Sequence, residues 1–177
     1  MTLHDIGIKH MTDKATFHSY CFGYEIYLAR MQGKPINLLE IGVASGVSLR
    51  MWKEYFTRGN IYGIDNIKEC KIWETDRIKV FIGDQTNTKF LKNVCKKIPQ
   101  KLDIIIDDGS HYILDIKTSL KYLIPKLCKG GLYIVEDMND KERIQIKKYF
   151  NGHNDMYFVN YYEGSAGQSL VIGRKIK

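Results

Sequence analysis

Five short apolar runs recur along the chain, separated by stretches with helical spacing. They are Ile36-Asn37-Leu38-Leu39-Glu40-Ile41, Asn60-Ile61-Tyr62-Gly63-Ile64, Ile78-Lys79-Val80-Phe81-Ile82, Leu102-Asp103-Ile104-Ile105-Ile106 and Gly131-Leu132-Tyr133-Ile134-Val135. Near-continuous apolar strands suit a sheet covered on both faces. Between them, Ile113, Ile116, Leu120, Leu123, Ile124 and Leu127 fall at helical spacing and predict a helix over 113–127. Pro125 is expected to bend or fray it, and Lys129-Gly130-Gly131 to close it with residues that tolerate a left-handed turn. A further helix is predicted over 47–56, with Met51, Trp52, Tyr55 and Phe56 turned inward. Alternating strands and helices imply parallel pairing through right-handed crossovers. The tail reads differently. Residues 156–162 and 169–172 are strand patterns across the turn Glu163-Gly164-Ser165-Ala166-Gly167, which predicts an antiparallel hairpin. The expected architecture is therefore α/β, a doubly wound, mostly parallel sheet ending in a hairpin. It forms a single domain over 36–177, with residues 1–35 as an N-terminal cover.

Composition narrows the class without naming a reaction. The 177 residues are 44% hydrophobic and 27% charged, an ordinary globular balance. No apolar run approaches the roughly 18 residues of a membrane span, and the N-terminus has no apolar segment of the secretory kind. Cys21, Cys70, Cys95 and Cys128 form no Cys-x-x-Cys pair, so they are read as reduced thiols in a cytoplasmic protein. The formal net charge is +7, yet its lysines spread over 89–101, 117–129, 141–148 and the C-terminus. That distribution predicts solvated helix faces rather than a nucleic-acid site.

The chemistry gathers at the strand ends. Each predicted strand finishes in acid: Glu40, Asp65, Asp84, Asp107-Asp108 and Glu136-Asp137. In an open α/β sheet that edge binds ligands, and like charges collected there call for a cation or ligand to offset them. The first turn, Glu40-Ile41-Gly42-Val43-Ala44-Ser45-Gly46, has glycines that let a ligand approach the backbone, but not the Gly-x-Gly-x-x-Gly of dinucleotide sites. Asp65, ending the second strand, can accept both hydroxyls of a ribose. Asp108, Glu136 and Asp137 are expected to converge if their strands are neighbours. Three hard carboxylates suit Mg²⁺ or Mn²⁺. His111, just after Asp108 at a predicted helix start, is the candidate general base.

Four segments together carry a resemblance: residues 12–20 (TDKATFHSY), residues 38–46 (LLEIGVASG), residues 104–111 (IIIDDGSH) and residues 134–137 (IVED). The chain resembles class I S-adenosylmethionine-dependent methyltransferases with a Rossmann-like fold. Among these it is similar to the metal-dependent sugar O-methyltransferases of the macrocin and mycinamicin type, from about Thr12 through Asp137. The resemblance implies metal ligation by Asp108, Glu136 and Asp137, with His111 as base. It implies cofactor contacts at Gly42, Asp65 and Asp84, with Glu40, Ser45, Gly46, Gln85 and Asp107 around them. Thr12, Lys14 and Tyr20, from the N-terminal segment, are implied to pack over the same pocket. The expected reaction moves a methyl group to a hydroxyl of a sugar or other vicinal-diol acceptor, with no membrane or nucleic-acid partner. Family members are often longer, so little of this chain remains to cover the acceptor, and a homo-oligomer stays open. Two rival readings share the fold. One is a nicotinamide-dependent oxidoreductase, which gives no reason for the 108, 136 and 137 carboxylates. The other is a non-catalytic S-adenosylmethionine-binding subunit.

Overall fold

The computed structural model describes residues 1–177. Its core is one sheet of β1 (Asn37–Ile41), β2 (Asn60–Asp65), β3 (Ile78–Ile82), β4 (Leu102–Asp107), β5 (Leu127–Met138), β6 (Met156–Glu163) and β7 (Ser169–Lys175). The strand order is β3-β2-β1-β4-β5-β7-β6. The first five strands are parallel, and β7 runs antiparallel to both β5 and β6. The expected doubly wound sheet with a terminal hairpin is thus what forms, with β7 inserted between β5 and β6. The order reverses between β1 and β4, which opens a crevice at their carboxyl ends.

Both faces are covered, as the apolar runs require. On one face α1 (Leu3–His10), α2 (Asp13–Thr16), α3 (Tyr20–Leu28) and α4 (Val47–Tyr55) bring Leu3, Ile6, Tyr24, Leu28 and Trp52 against Leu38, Ile104, Ile106, Leu132 and Ile134. On the other, α5 (Thr88–Lys97), α6 (Ile113–Leu123) and α7 (Asp140–Gly152) bring Leu91, Ile116, Leu120, Ile146 and Phe150 against Leu39, Ile41, Ile105, Tyr133 and Val135. Over 38–41, 104–107 and 132–136, even-numbered positions face the N-terminal helices and odd-numbered ones the opposite layer, the period-two alternation of a pleated strand. The N-terminal segment contributes a substantial part of the core.

One local expectation fails. The helix over 113–127 stops at Leu123, a 3-10 turn covers Ile124–Lys126, and β5 already begins at Leu127. Pro125 lacks the N–H that would continue the helix, so the apolar spacing runs past the helix end. Lys129-Gly130-Gly131 lies within β5, where the pairing with β4 shifts register, and Gly130 has φ +79°. The glycines accommodate a bulge and do not cap a helix.

The β1–α4 turn is stitched to its neighbours. Gly42 N donates to Ile64 O at 2.9 Å, and Asp108 N donates to Ile41 O at 3.0 Å. Gly42 has φ +91°, and a Cβ there would overlap the Asp108 carbonyl. Gly42→Ala is accordingly expected to lower unfolding free energy by more than about 1 kcal/mol in urea melts. Unchanged stability would show that the turn yields freely.

Candidate active site

Strand alternation decides which acids meet. Glu40, Asp108 and Glu136 all continue the even-numbered face, and their strands are adjacent in the order β1-β4-β5. The three can offer carboxylate oxygens within 4.8 Å of one another. Such a group of anions under apolar helices is untenable without a counter-charge. Lys14, 1% exposed, supplies it. Its Nζ lies 2.8 Å from Glu136 Oε1 and 3.5 Å from Glu40 Oε1, and it donates a short hydrogen bond to Asp108 Oδ2. Burial alone would drive the Lys14 ammonium toward neutrality. The charges of Asp108, Glu136 and Glu40 outweigh burial and hold its pKa well above the ordinary range. Burial pushes the Asp108 and Glu136 pKa values upward, with Lys14 opposing.

The remaining bonds fix the cage. Glu40 accepts Ser48 Oγ at 2.7 Å and Trp52 Nε1 at 3.3 Å, both from α4. Glu136 also accepts the Tyr24 hydroxyl, and its contacts with Tyr24 and Lys14 both fall on Oε1. Asp137, one position on, leaves this face. Its Oδ1 accepts Tyr20 OH at 2.8 Å, and its Oδ2 lies 3.9 Å from His111 Nε2. Asp108, His111 and Asp137 form a second group whose potential ligand atoms lie within 4.8 Å. His111 and Asp137 both adopt left-handed backbone, with φ 61° and 59°. Such strain in non-glycine residues typically costs about 1–3 kcal/mol each and concentrates at functional sites.

The three expected metal ligands are therefore divided between two groups that share Asp108, with the Lys14 ammonium beside Glu136. Hard oxygen donors still fit a divalent cation. Glu40, Asp108, Glu136 and Asp137 set four carboxylates against one ammonium, and Glu136 Oε2 carries none of that residue's hydrogen bonds. Lys14, expected over the cofactor, lines a cleft while acting as the acids' counter-ion.

Two clefts meet at Asp108. One, of about 360 Å³, runs past Gly42, Asp65, Asp84, Gln85 and Asp115. The other, of about 240 Å³, runs past Thr12, Lys14, Gly42, Ser45 and Ser48. Asp65 accepts Val43 N at 2.8 Å, Ala44 N at 3.0 Å and Ile67 N at 2.9 Å. Burial would raise its pKa, but these backbone donors bring it below the usual carboxylate value. Asp84 accepts Thr86 N at 2.7 Å and is likewise lowered. Gly46, with φ +66°, caps α4 where a Cβ would strike the Trp73 indole, whose Nε1 donates to Ala44 O at 3.2 Å.

Asp107 takes another position. Being odd-numbered, it turns into the opposite layer, fully buried, where it accepts Tyr133 OH at 3.0 Å and Gln85 Nε2 at 3.3 Å. Gln85 Oε1 in turn accepts Ser110 N at 2.9 Å, so Asp107 supports the 108–111 loop from behind. Tyr24, His18, Tyr133 and Asp115 complete this neighbourhood without having been marked by the sequence. Tyr20 and Tyr24, four apart on α3, were the available signal for the first.

No family model matches the chain. It is 37% identical over 140 residues to 8-demethyl-8-alpha-L-rhamnosyl tetracenomycin-C 2'-O-methyltransferase of Streptomyces olivaceus, covering 75% of this chain and 36% of that protein. It is 36% identical over 144 residues to mycinamicin VI 2''-O-methyltransferase of Micromonospora griseorubida, covering 77% of this chain and 36% of that one. A solved structure of MycE, a methyltransferase of the mycinamycin biosynthetic pathway in complex with Mg, SAH and mycinamycin VI, superposes with a TM-score of 0.85 at 25% identity. That superposition covers 100% of this chain and 55% of MycE. The matched region thus spans little more than a third of the length of the curated relatives.

Two outcomes follow from the buried charges. Lys14→Met strands the acids it neutralises and is expected to cost about 3–5 kcal/mol at neutral pH in denaturant melts. A loss below about 1 kcal/mol would show that the acids are satisfied otherwise. Burial raises Asp107 from 3.8 to about 6, against the hydrogen bonds of Tyr133 and Gln85. Its contribution to stability is then fully present below about pH 4 and lost as pH rises through about 6. The unfolding free energy of the wild type minus that of Asp107→Asn should fall by about 2–3 kcal/mol across that window and level off above it. A flat difference would refute the raised value.

Proposed function

From a class I S-adenosylmethionine-dependent methyltransferase fold related, over 77% of the chain, to sugar O-methyltransferases of the mycinamicin and macrocin type, we propose the following activity. The protein transfers a methyl group to a hydroxyl of a sugar or another vicinal-diol acceptor, with Mg²⁺ or Mn²⁺ as metal. The observation that carries this reading is Asp108. It lines both clefts and belongs to both acid groups. An elongated cofactor lying along the two clefts would bring its centre beside the carboxylates and His111.

S-adenosylmethionine supplies a methyl carbon made electrophilic by its sulfonium, and the dication supplies Lewis acidity that favours the ionised acceptor hydroxyl. The chain's own residues do the rest. Asp65 has one acceptor position left, on Oδ1, beyond those taken by Val43, Ala44 and Ile67, and it receives one ribose hydroxyl there, not the two expected of it. Gly42 lets the cofactor approach the backbone, while Thr12, Ser45, Asp84 and Gln85 border it. Asp108, Asp137 and Glu136 would hold the metal, with Asp108 common to both acid groups. Lys14 keeps Glu40, Asp108 and Glu136 together. His111 Nε2 takes the hydroxyl proton as oxygen bonds to the methyl carbon and the carbon–sulfur bond breaks, and Asp137 steadies the resulting imidazolium. Aligned oxygen, carbon and sulfur supply the orientation part of the acceleration.

Calorimetry with S-adenosylhomocysteine, with and without Mg²⁺, followed by a screen of glycosides bearing vicinal hydroxyls, tests the reading. Binding of a nicotinamide dinucleotide in place of S-adenosylhomocysteine would refute it. His111→Ala should bind S-adenosylhomocysteine within about 2-fold of wild type while turnover falls roughly 10²–10⁴-fold. Intact turnover removes His111 as base. Asp108→Asn should lower activity and abolish its response to added Mg²⁺. Full wild-type activity in excess chelator would remove the metal from the scheme.

A further inference from the structure

His18 has no part in the scheme above, yet it is built into the same site. It is 9% exposed, and its Nδ1 is buried with no hydrogen-bond partner. An unpaired buried donor or acceptor typically costs about 1–3 kcal/mol, so its retention calls for a reason. The charged atom it faces is Asp137 Oδ1, at 3.7 Å. That is the oxygen Tyr20 OH already holds at 2.8 Å. The His18 ring stacks on Tyr20, with centroids 4.9 Å apart and planes 16° from parallel, and Phe17 meets it edge-on at 4.8 Å. The backbone is clamped as well. His18 O accepts Ser165 N at 2.9 Å, and Ser165 Oγ donates to Phe17 O at 2.5 Å. A Cβ on Gly164 would run into His18 O. The N-terminal segment, the end of β5 and the β6–β7 turn thus converge to hold one imidazole against one carboxylate.

We propose that His18 is a positioning residue for Asp137. In the working site, Nδ1–H donates to Asp137 Oδ1 beside Tyr20, which leaves Oδ2 to face His111 and the cation. A small rotation of either side chain closes the 3.7 Å gap to hydrogen-bond length. Carboxylate ligands held by a second layer of donors are oriented and tuned by them, and loss of such a donor typically weakens metal binding 10–100-fold. This role rests on the metal-dependent reading given above.

Two variants separate the donor from the ring. His18→Phe keeps the stacking on Tyr20 and removes the nitrogen. His18→Asn keeps a donor near the place of Nδ1. Manganese chloride alone, titrated calorimetrically into each, should bind His18→Phe about 10–100-fold more weakly than wild type. His18→Asn should stay within about 3-fold, and S-adenosylhomocysteine affinity should be unchanged in both. Equal Mn²⁺ affinity in His18→Phe and wild type overturns the role. So does an equal loss in both variants, because the ring and not the donor would then matter. A separate readout needs neither variant nor metal: long-range ¹H–¹⁵N correlations of the metal-free wild type should show His18 as the Nδ1–H tautomer. The Nε2–H tautomer overturns the proposal even if both variants fail to fold. A wild type that binds S-adenosylhomocysteine but no Mn²⁺ refutes the metal reading instead, and the tautomer then decides His18 alone.

Discussion

Three carboxylates at the carboxyl edge of β1, β4 and β5 sit around one buried ammonium with a fourth, Asp137, just outside, and the rest of the site is arranged to make that tolerable. Isolated ions of this kind cost several kcal/mol each to remove from water. Lys14 meets three of the four, and Tyr24, Ser48 and Trp52 spread further donors over Glu136 and Glu40. Lys14 comes from α2, and the tyrosines that hold Glu136 and Asp137 come from α3. The acidic edge and the N-terminal helices therefore stabilise each other. Neither would be satisfied alone, because the helices would bury an unpaired lysine and the strands would bury unpaired acids.

Pleat alternation then assigns tasks to adjacent residues. Asp107 and Asp108 are neighbours in sequence, yet one enters the layer of α5–α7 and braces a loop through Gln85, while the other borders both clefts. Glu136 and Asp137 divide in the same way, the first toward Lys14 and the second toward His111. Each acidic pair thereby places one carboxylate in the cage and one outside it. The left-handed backbone of Asp137 and His111 falls in the second group, beside the shared Asp108. Strain there is sustained by the dense hydrogen bonding around it.

Much of this was legible in the sequence, and the failures have physical causes. The strands were legible because a sheet buried on both faces demands near-continuous apolar runs. The start of β5 was not, because Lys129-Gly130-Gly131 interrupts the run while pairing to β4 continues through a bulge. The end of α6 was misread because apolar spacing persists through Leu127 although Pro125 cannot extend the helix. The hairpin was legible, but not which of its strands would pair with β5, since that choice is set by packing and not by local pattern. The acidic edge was plain, but its partner was not. Lys14 lies 94 positions from Asp108 and 122 from Glu136 in the chain, and the resemblance pointed it at the cofactor pocket and not at the acids. His18 lay inside the 12–20 segment that carried the resemblance, but it had no assigned role, because its partner Asp137 is distant in the chain.

The charge distribution also bears on the acceptor. The chain carries a net +7, yet the carboxyl edge of its sheet is acidic, so the excess positive charge lies elsewhere. Lysines of α5, α6 and α7 cover the opposite layer and its exposed faces. An anionic acceptor would be drawn to the protein as a whole and repelled at that edge, where four carboxylates outnumber one ammonium. A neutral sugar hydroxyl meets no such barrier. Bringing a dication to that edge offsets part of the surplus negative charge and favours ionisation of the hydroxyl beside it. The same imbalance that makes the acids costly to fold therefore favours both the proposed metal and a neutral acceptor, and that links the stability of the cage to the chemistry inferred for it.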